Sequence, residues 1–337
     1  MTIKLVYDVK LKNEWSRVAP HPLQSWQWGE ARGVHGVDVV RIAVQENRKI
    51  KSVFQITFHK IPFTPYTIGY LPRSKIFNVQ VLKFIQQLAV AKKAIFIKFE
   101  PYEEKNINNM KKIDELLETR TVRLSPHQLF PNWTQVINLN RTEEELFNEC
   151  KPKTRYNIKL AKKKGVIVTE ATNESGFNKF IKLYFETCKR QKYHGHTKTY
   201  HQILFNTFCN DIAHILVASY NNKPISAYEL FLFNGILYYP YGGSSTQYRN
   251  LMASNLIMWE SILFGIKNRA NKFDLWGTLP PGNIQTNDTW AGFSRFKEGY
   301  GSKYVEFVGS YDIILDPGLY HLYNTAHIIR KFLMRFI

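Results

Sequence analysis

The chain has 337 residues, and its 46 lysines and arginines against 27 acidic residues give it a net charge of +19. This length favours two domains, the 44% hydrophobic content excludes large-scale disorder, and the charge indicates a polyanionic partner such as nucleic acid, a phosphorylated substrate or an anionic membrane surface. Three cysteines without a Cys-x-x-Cys spacing, no signal-peptide pattern and no apolar run of about 18 residues predict a cytoplasmic protein with reduced thiols.

The first half of the chain begins its regular pattern over residues 41–60, where "RIAVQENRKIKSVFQITFHK" reads as a strand, a polar turn and a second strand. Residues 79–93 follow, with apolar side chains at 82, 85, 88 and 89, which is a helical period. The segment 94–101, "AIFIKFEP", then has the composition of a buried strand. We therefore predict the order strand, strand, helix, strand.

A linker near 138–150 carries a capping box, with Thr142 as N-cap and Glu145 three residues later. It predicts a helix that Pro152 ends or bends. The run after it, "KPKTRYNIKLAKKKG" (151–165), contains seven basic residues and no acidic one. On a helix, four of these side chains share a face, namely Arg155, Lys159, Lys162 and Lys163. This stripe either binds phosphates or is a solvated face that binds nothing.

The second half repeats the order of the first. Residues 215–234, "ILVASYNNKPISAYELFLFN", again read as strand, turn and strand, and a helical period and a strand over 272–277 follow. We infer a tandem duplication of one α/β domain, with the first copy over 1–148 and the second over 149–315. An amphipathic helix over 316–337 either packs back on the first domain, which its apolar stripe favours, or lies on a membrane surface.

The stretch "QYRNLMASNLIMWE" (247–260) lies between a predicted strand and a predicted helix, where many acyltransferases place a glycine-rich turn for the pyrophosphate of acyl-CoA. Arg249 opens such a turn, but Met252 and Ser254 occupy the positions of the glycines. Side chains there keep a pyrophosphate away from the backbone N–H groups, so binding of CoA is disfavoured. An acyl donor carried on a nucleic acid is compatible with both the fold and the charge.

Several segments together carry a resemblance to a known family. They are "KPKTRYNIKLAKKKGV" (151–166), "YYPYGGSS" (238–245), "KFDLWGTLPPG" (272–282), "GFSRFKEGYGSKYVEFVGSYD" (292–312) and, more loosely, "LQSWQWGEARG" (23–33) and "FIKFEPY" (96–102). The chain resembles the Fem family of aminoacyl transferases, a branch of the GCN5-related N-acyltransferase fold. The resemblance implies an α/β fold class with mixed α+β sheets, in two tandem GCN5-related N-acyltransferase-like domains without the coiled-coil arm of some members.

The resemblance also implies an activity. Members of the family take an amino acid from aminoacyl-tRNA and join it to an amine in the stem peptide of a peptidoglycan precursor, either UDP-linked or lipid-linked. We therefore expect a monomeric aminoacyltransferase whose partners are aminoacyl-tRNA and this precursor, with or without contact to the inner face of the membrane. The resemblance also favours binding of tRNA or precursor phosphates by the stripe of Arg155, Lys159, Lys162 and Lys163. Two alternatives stay open, namely a related transferase that acts on another amine, and a protein that only binds RNA or phosphorylated glycans.

Two residues are candidates for catalysis. Lys297, in "RFKEGYG", matches the family lysine that contacts the reacting centre, which makes it the candidate donor to the oxyanion. A lysine beside Gly299 at the end of a helix is the alternative explanation. Glu100, at the end of the strand over 94–101, is the candidate for orienting or deprotonating the incoming amine, and it is equally a candidate salt-bridge partner.

The candidate substrate-binding residues are mainly aromatic. By resemblance, Tyr239 or Tyr241 contacts the precursor, and Tyr200 matches a tyrosine that follows a phosphate-binding arginine by four residues. His196 stands where that arginine is expected and lacks its bidentate fork, which puts the identity of the acceptor in doubt. The remaining candidates are Trp28, Tyr102 and Phe296. Tyrosines on a strand, and Trp28, equally suit a core.

The segment 194–201, "HGHTKTYH", invites a metal-binding interpretation. No carboxylate or cysteine falls at a helpful spacing from these histidines, so the set of ligands is incomplete. We therefore predict neither a metal site nor an organic cofactor.

Overall fold

The computed structural model describes residues 1–282 and 290–333. The strands are Thr2–Leu5 (β1), Asp38–Glu46 (β2), Lys49–Lys60 (β3), Thr67–Pro72 (β4), Ala94–Glu100 (β5), Val122–Leu124 (β6), Trp133–Asn138 (β7), Ile167–Glu170 (β8), Ala213–Tyr220 (β9), Lys223–Phe233 (β10), Ile236–Ser244 (β11), Lys272–Asp274 (β12), Lys303–Glu306 (β13) and Tyr311–Ile314 (β14). The helices are Lys12–Val18 (α1), Trp26–Val34 (α2), Val79–Ala91 (α3), Ile107–Leu117 (α4), Glu143–Glu149 (α5), Pro152–Lys163 (α6), Glu174–Gln191 (α7), Lys198–Phe208 (α8), Ala253–Lys267 (α9), Ala291–Glu298 (α10) and Pro317–Leu333 (α11).

Each of two compact units is built on a seven-stranded mixed sheet, and the two sheets share one plan. The strand order is β1-β2-β3-β4-β5-β14-β6 in the first unit and β8-β9-β10-β11-β12-β7-β13 in the second. Each sheet has one parallel pair of strands. In the first unit α3 links β4 to β5, and in the second unit α9 links β11 to β12. The other pairs among the described strands are antiparallel. The predicted tandem α/β fold with mixed sheets is therefore confirmed.

The helical periods predicted from the sequence explain how α3 and α9 pack. In α3 the buried side chains include Leu82, Ile85 and Ala89, which recur at three-to-four spacing and face the sheet of the first unit. In α9 the buried residues surround most of the helix, because this helix also contacts α6 and several strands of the second sheet. Among the described residues the longest helix is α7, with 18 residues, and no pair of longer helices forms an arm.

The division between the units differs from the predicted domain boundaries at 148/149 and 315/316. The first unit contains Met1–Asn132 together with the residues from Phe307 onward, and the second contains Trp133–Glu306. The reason is strand pairing, since β7 pairs with β12 and β13, whereas β14 pairs with β5 and β6. A short apolar strand fits either sheet, so its sequence does not say which sheet it joins.

Two predicted helix termini lie near this division. Thr142 accepts from the backbone N–H of Glu145, and the Glu145 carboxylate accepts from the N–H of Thr142 at 2.8 Å, which completes the capping box. The prediction that Pro152 ends or bends this helix is wrong in detail, because α5 ends at Glu149 and Pro152 is the first residue of α6. A proline at this position loses no hydrogen bond, since the first N–H groups of a helix have no partner within it.

The C-terminal helix α11 packs on the first unit. The Tyr320 ring lies 5.2 Å from the ring of Phe96 on β5, and its hydroxyl donates to Asp312 on β14 at 2.9 Å. Ile95 and Ile314 belong to the same buried cluster. Residues 334–337 of the helix predicted over 316–337 lie outside the described residues.

We expect Gly243→Ala to lower the free energy of unfolding by at least about 2 kcal/mol, because α7 crosses β11 at this glycine. A Cβ at Gly243 would lie against the backbone of Leu183 and Tyr184, closer than real Cβ atoms come. Gly33→Ala in α2 is the matched control, since a Cβ there meets nothing within 4 Å and alanine favours helix, which predicts a gain of about 0.5–1 kcal/mol. Urea unfolding of both variants measures the difference, and equal stabilities would contradict the close packing.

Candidate active site

The candidate site of the second unit lies where the parallel strands β11 and β12 separate. They pair at Ile236 with Lys272 through Tyr238 with Asp274, after which β12 ends while β11 continues to Ser244. The chain leaves β12 through Trp276, whose φ of 73° places a non-glycine residue in the left-handed region. Such a conformation is costly for a bulky residue, and conformations of this kind concentrate at functional sites.

Lys297 of α10 reaches this place with its side chain. The Lys297 Nζ donates to the carbonyl of Leu275 at 2.6 Å and to the carbonyl of Gly277, on the two sides of Trp276. Lys297 is only 1% exposed, and its Nζ lies 3.9 Å from the centroid of the Phe293 ring. The alternative that Lys297 only neutralises the exposed end of a helix does not fit, because its ammonium is buried at the end of β12.

The buried position changes the acidity of Lys297. Burial lowers the pKa of the Lys297 ammonium to about 7, while the nearby Asp274 carboxylate raises this pKa in part. A lysine with such a pKa is present in both protonation states near neutral pH. It is therefore able to donate a hydrogen bond to a developing oxyanion or to exchange a proton with a substrate.

A cavity of about 370 Å³ lies beside this lysine, between β11, the end of α7 and the start of α9. Phe293 lines the cavity and contacts Lys297, which connects the two. Aromatic, hydroxyl and basic side chains line its wall, including Tyr228, Tyr239, Phe296, Ser245, Arg190 and Arg249. Arg190 is held in place by its guanidinium, which donates to the carbonyl of Ser244 at 2.7 Å.

The turn in "QYRNLMASNLIMWE" forms one wall of this cavity. Tyr248 and Met252 adopt φ values of 59° and 55°, so the backbone keeps the left-handed conformation that glycine favours although neither residue is glycine. Met252 also lines the cavity. The bulk of this side chain at the start of α9 disfavours the close approach of a pyrophosphate to the backbone, as the sequence predicts.

His196, Tyr200 and Tyr241 lie together, whereas Tyr239 belongs to a different cluster of the second unit. The rings of His196 and Tyr200 stack at 4.1 Å, and Tyr241 lies 6.2 Å from His196. Tyr239 instead packs on Tyr228 at 4.3 Å and lines the cavity with Phe296.

Beneath this aromatic group lies a buried ionisable pair. His201 Nδ1 lies 3.6 Å from a carboxylate oxygen of Glu229, and both side chains are fully buried. The His201 ring contacts Tyr241 at 4.7 Å and Tyr184 at 4.6 Å. Burial raises the pKa of the Glu229 carboxyl, and the neighbouring His201 lowers it in part.

Glu100, the candidate base, is occupied by structural contacts in the first unit. One carboxylate oxygen accepts from the backbone N–H groups of Leu129 at 2.7 Å and Phe130 at 3.3 Å and from the hydroxyl of Ser310 at 3.1 Å. The other oxygen accepts from the hydroxyl of Tyr70 at 2.8 Å, and Glu100 is 1% exposed. These contacts favour a role in holding the segment 129–130 rather than in proton transfer.

We expect Glu100→Gln to leave the rate of any acyl transfer within a few-fold of wild type while lowering stability by about 1–2 kcal/mol. The amide keeps one acceptor oxygen for Leu129 and Phe130 but loses the charge that strengthens these hydrogen bonds. A general base is worth about 10²–10⁴ in rate. A loss of that size in a folded variant, measured beside its unfolding curve, would restore the base role.

Trp28 and Tyr102 both belong to the first unit. Trp28 is 4% exposed in α2, with the guanidinium of Arg32 5.9 Å from its ring. Tyr102 lies between the rings of His21 and Phe307, at 4.9 Å and 5.1 Å. Trp28 is therefore mainly a core residue, whereas Tyr102 is half-buried and part of an aromatic row.

The predicted basic stripe lies on α6, but its members have different surroundings. Arg155 donates to the carbonyls of Asn148 and Cys150 and so closes the end of α5. Lys162 pairs with Glu260 at 3.0 Å, and Lys159 lies over the Phe147 ring at 5.5 Å. Lys163 is exposed. Arg155 is thus used within the second unit, whereas Lys159, Lys162 and Lys163 are exposed.

Within residues 1–282 and 290–333, no three histidine, cysteine or acidic side chains lie close enough together to hold a metal ion. Within the same ranges, no helix combines the length and the apolar character needed to cross a membrane.

Four residues of the site were not identified from the sequence, namely Arg190, Glu229, Trp276 and Phe293. Trp276 lies in the quoted segment "KFDLWGTLPPG", yet only its backbone conformation distinguishes it. Glu229 is an acidic residue inside the apolar strand "ISAYELFLF", and that is a signal the sequence does contain.

The sequence and the fold are similar to those of known proteins. A lipid II:glycine glycyltransferase of Staphylococcus haemolyticus (strain JCSC1435) is 24% identical over 386 aligned positions, covering 90% of this chain and 91% of that protein. The crystal structure of FemX superposes with a TM-score of 0.84 at 18% identity, covering 96% of this chain and 99% of FemX. A tandem GNAT protein from the clavulanic acid biosynthesis pathway has a TM-score of 0.51 at 8% identity, covering 94% and 99% of the two chains.

These structural similarities establish the fold and agree with two acyltransferase-like units. The sequence profile of the FemAB family matches residues 14–227 and 218–328, which together include most of the chain. The resemblance inferred from the motifs is thereby confirmed, and the chain belongs to the FemAB family.

Proposed function

We propose that this protein transfers an amino acid from aminoacyl-tRNA to a stem-peptide amine of a lipid-linked peptidoglycan precursor. Its family makes the chain an aminoacyltransferase, and its staphylococcal relatives are named lipid II:glycine glycyltransferases. The observation that carries the proposal is the buried Lys297 ammonium, which lies where β11 and β12 separate and contacts a residue of the adjoining cavity.

The cavity supports a donor that ends in a nucleotide and an ester. Tyr228, Tyr239 and Phe293 offer flat surfaces on which a base or ribose can pack. Arg190 and Arg249 supply positive charge for the phosphate that precedes the terminal nucleotide. A free 370 Å³ suits the acylated end of such a donor rather than a whole macromolecule.

The chemistry requires little activation of the donor, because an aminoacyl ester is already reactive. The amine nitrogen forms a bond to the ester carbonyl carbon, and the bond from that carbon to the ribose oxygen breaks. Lys297 in its ammonium form donates to the oxyanion of the tetrahedral intermediate, a contribution worth about 3–4 kcal/mol. The nitrogen loses a proton and the departing ribose oxygen gains one, so that charge and atoms balance.

The names of the relatives and the absence of one expected arginine support a lipid-linked acceptor. His196 and Tyr200 form a stacked pair where the resemblance implies an arginine and a tyrosine that grip a phosphate. A histidine binds a phosphate less firmly than a bidentate arginine does at neutral pH. This weaker binding of phosphate favours a lipid-linked precursor, which its lipid holds in place, over a UDP-linked precursor, which the protein must hold by its phosphates.

The proposal is tested by incubating the purified protein with a mixture of charged tRNAs and the lipid-linked precursor in detergent. The expected result is a muropeptide whose intact mass has risen by one or more amino-acid residues. Uncharged tRNA with free amino acids is the control and should give no shift. If no charged tRNA produces a shift, the proposed function is wrong, and a shift produced by acetyl-CoA alone would support an ordinary acyltransferase instead.

A further inference from the structure

The first unit carries a patch of exposed apolar side chains that its fold does not use. We use the word patch for two segments that border the same buried cluster, the loop 61–66 between β3 and β4 and the outer face of α11. Phe63 at the tip of the loop is 108% exposed, while Leu322, Ile328 and Ile329 of α11 are 65%, 59% and 54% exposed. Apolar residues of this size are normally buried, and a group of them marks an interaction surface.

The loop holds Phe63 outward in a defined conformation. Its sequence is "IPFTPY", so Pro62 and Pro65 restrict the backbone on both sides of the tip. The N–H of Ile61 donates to the carbonyl of Tyr66 at 3.0 Å, and the N–H of Thr64 donates to the carbonyl of Ile61 at 3.2 Å. Phe63 itself has a φ of 63°, which is an uncommon conformation for a phenylalanine. A closed and strained turn thus presents a large apolar side chain to the surroundings.

The helix adjoins the same place. Tyr320 and Tyr323 on its inner face pack on Phe96 at 5.2 Å and 5.4 Å. Ile61 of the loop packs against the buried cluster to which Tyr320 belongs, so the loop and α11 border one cluster. On the outer face Leu322 and Ile329 are seven residues apart, which places them on one stripe of the helix.

Three exposed cations lie on or next to the segments of the patch, where Asp316 at the start of α11 and Asp38, which pairs with Lys92, are acidic. Lys60 directly precedes the loop, and Arg330 follows Ile329 on α11. Lys93 lies beside the residue that follows the loop, because the N–H of Thr67 donates to the carbonyl of Lys93 at 3.0 Å. All three side chains belong to exposed residues. A second copy of this chain would bring the same positive charges and a net +19 against the patch, which opposes self-association. A partner that is both apolar and anionic satisfies the two features together.

We propose that this patch docks the protein on an anionic phospholipid bilayer. Phe63, Leu322 and Ile329 enter the boundary between headgroups and acyl chains, and Lys60, Lys93 and Arg330 lie among the anionic headgroups. The docking explains how the lipid-linked acceptor is reached and to that extent rests on the proposed function. It does not depend on catalysis, so it can be measured without either substrate.

The direct test is sedimentation of the full chain with vesicles of phosphatidylcholine alone or mixed with phosphatidylglycerol. Binding is expected only with the anionic vesicles, and it should weaken as salt is added. Phe63→Ser should weaken the partition about tenfold or more, because a phenylalanine side chain no longer leaves water. Replacing Lys60 and Lys93 by Gln should weaken it about fivefold for each charge.

Ile107→Ser is the control, since Ile107 is an apolar residue 76% exposed at the start of α4, after the C-terminal end of β5, whereas the loop 61–66 precedes β4, which runs parallel to β5. Unfolding curves should show that all variants keep the wild-type stability. The proposal is overturned if the wild type does not bind anionic vesicles, if Phe63→Ser binds as well as Ile107→Ser, or if Phe63 instead supports dimerisation in light scattering.

A transfer assay separates this proposal from the proposed function. Phe63→Ser should transfer an amino acid at the wild-type rate when the precursor is in detergent and at a reduced rate when it is in vesicles. An absence of transfer in both media by the wild type would contradict the proposed function and leave the vesicle binding to be judged by sedimentation. Equal rates for Phe63→Ser and wild type in vesicles would contradict docking through this patch.

Discussion

Lys297→Met is expected to make the protein more stable and almost inactive in aminoacyl transfer. The ordinary pKa of a lysine is ~10.4, whereas burial lowers the pKa of Lys297 to about 7 in the folded chain. At pH 7 this lowered pKa therefore reduces the free energy of unfolding by roughly 4 kcal/mol, relative to a lysine with the ordinary pKa. Methionine has a similar length, needs no hydrogen bond and removes the penalty.

Part of this gain is lost again. The carbonyls of Leu275 and Gly277 accept from Lys297 and lose their donor in the variant, which costs about 1–3 kcal/mol. The expected net effect at pH 7 is a gain of about 1–3 kcal/mol in the free energy of unfolding. A residue that costs stability and is nevertheless present is best explained by function.

The pH dependence of the free energy of unfolding tests the direction of the Lys297 pKa shift without assuming its size. Between pH 7 and about 10 the unfolded chain binds one more proton at Lys297 than the folded chain does, since the folded pKa is the lower one. The contribution of Lys297 to stability therefore rises with pH across this window, by up to about 1.4 kcal/mol per pH unit. Urea unfolding at several pH values should show this rise in wild type relative to Lys297→Met, and parallel profiles would contradict the lowered pKa.

The second large effect is expected at the buried pair of His201 and Glu229. Removing one partner leaves the other polar group alone in a fully buried place, which typically costs about 1–3 kcal/mol. Glu229→Leu alone and His201→Phe alone should each lower the free energy of unfolding by that amount. The double variant leaves no unpaired group and should be close to wild type.

Chemical unfolding of the four proteins in this cycle measures the coupling between the two side chains. Additive losses in the double variant would show that the pair does not interact in the folded chain. Because Tyr241, a candidate substrate-binding residue, packs on His201, a stable double variant also shows whether the pair is needed for transfer or only for stability. Unchanged transfer by that variant would mean that His201 and Glu229 only support the fold.

The elements with a clear period were predicted correctly from the sequence. The spacing of Leu82, Ile85 and Ala89 corresponds to the buried face of α3, and the polar turns "ENRK" and "NNKP" join β2 to β3 and β9 to β10. The division of the chain was not predicted, because β7 and β14 each join the sheet of the other half through long-range pairing. Local composition determines that a segment is a strand, but not which edge it joins.

Site residues that belong to a motif could be predicted from the sequence. Their surroundings could not, because packing between distant parts of the chain determines them. Lys297 was identified with "RFKEGYG", but its burial between two carbonyls follows from the conformation of Trp276, which no pattern announces. Glu100 looked like a base because it ends a strand, yet the fold directs backbone N–H groups of Leu129 and Phe130 at it. Contacts between residues about 30 positions apart cannot be read from spacing.

The most direct measurement is a single-turnover transfer from charged tRNA to the lipid-linked precursor in detergent, with wild type and Lys297→Met side by side. Wild type should form the aminoacylated precursor, whereas the variant should be slower by at least about a hundredfold while it binds the charged tRNA with a similar Kd. Transfer at equal rates by the two proteins would contradict the assignment of Lys297 to the reacting centre.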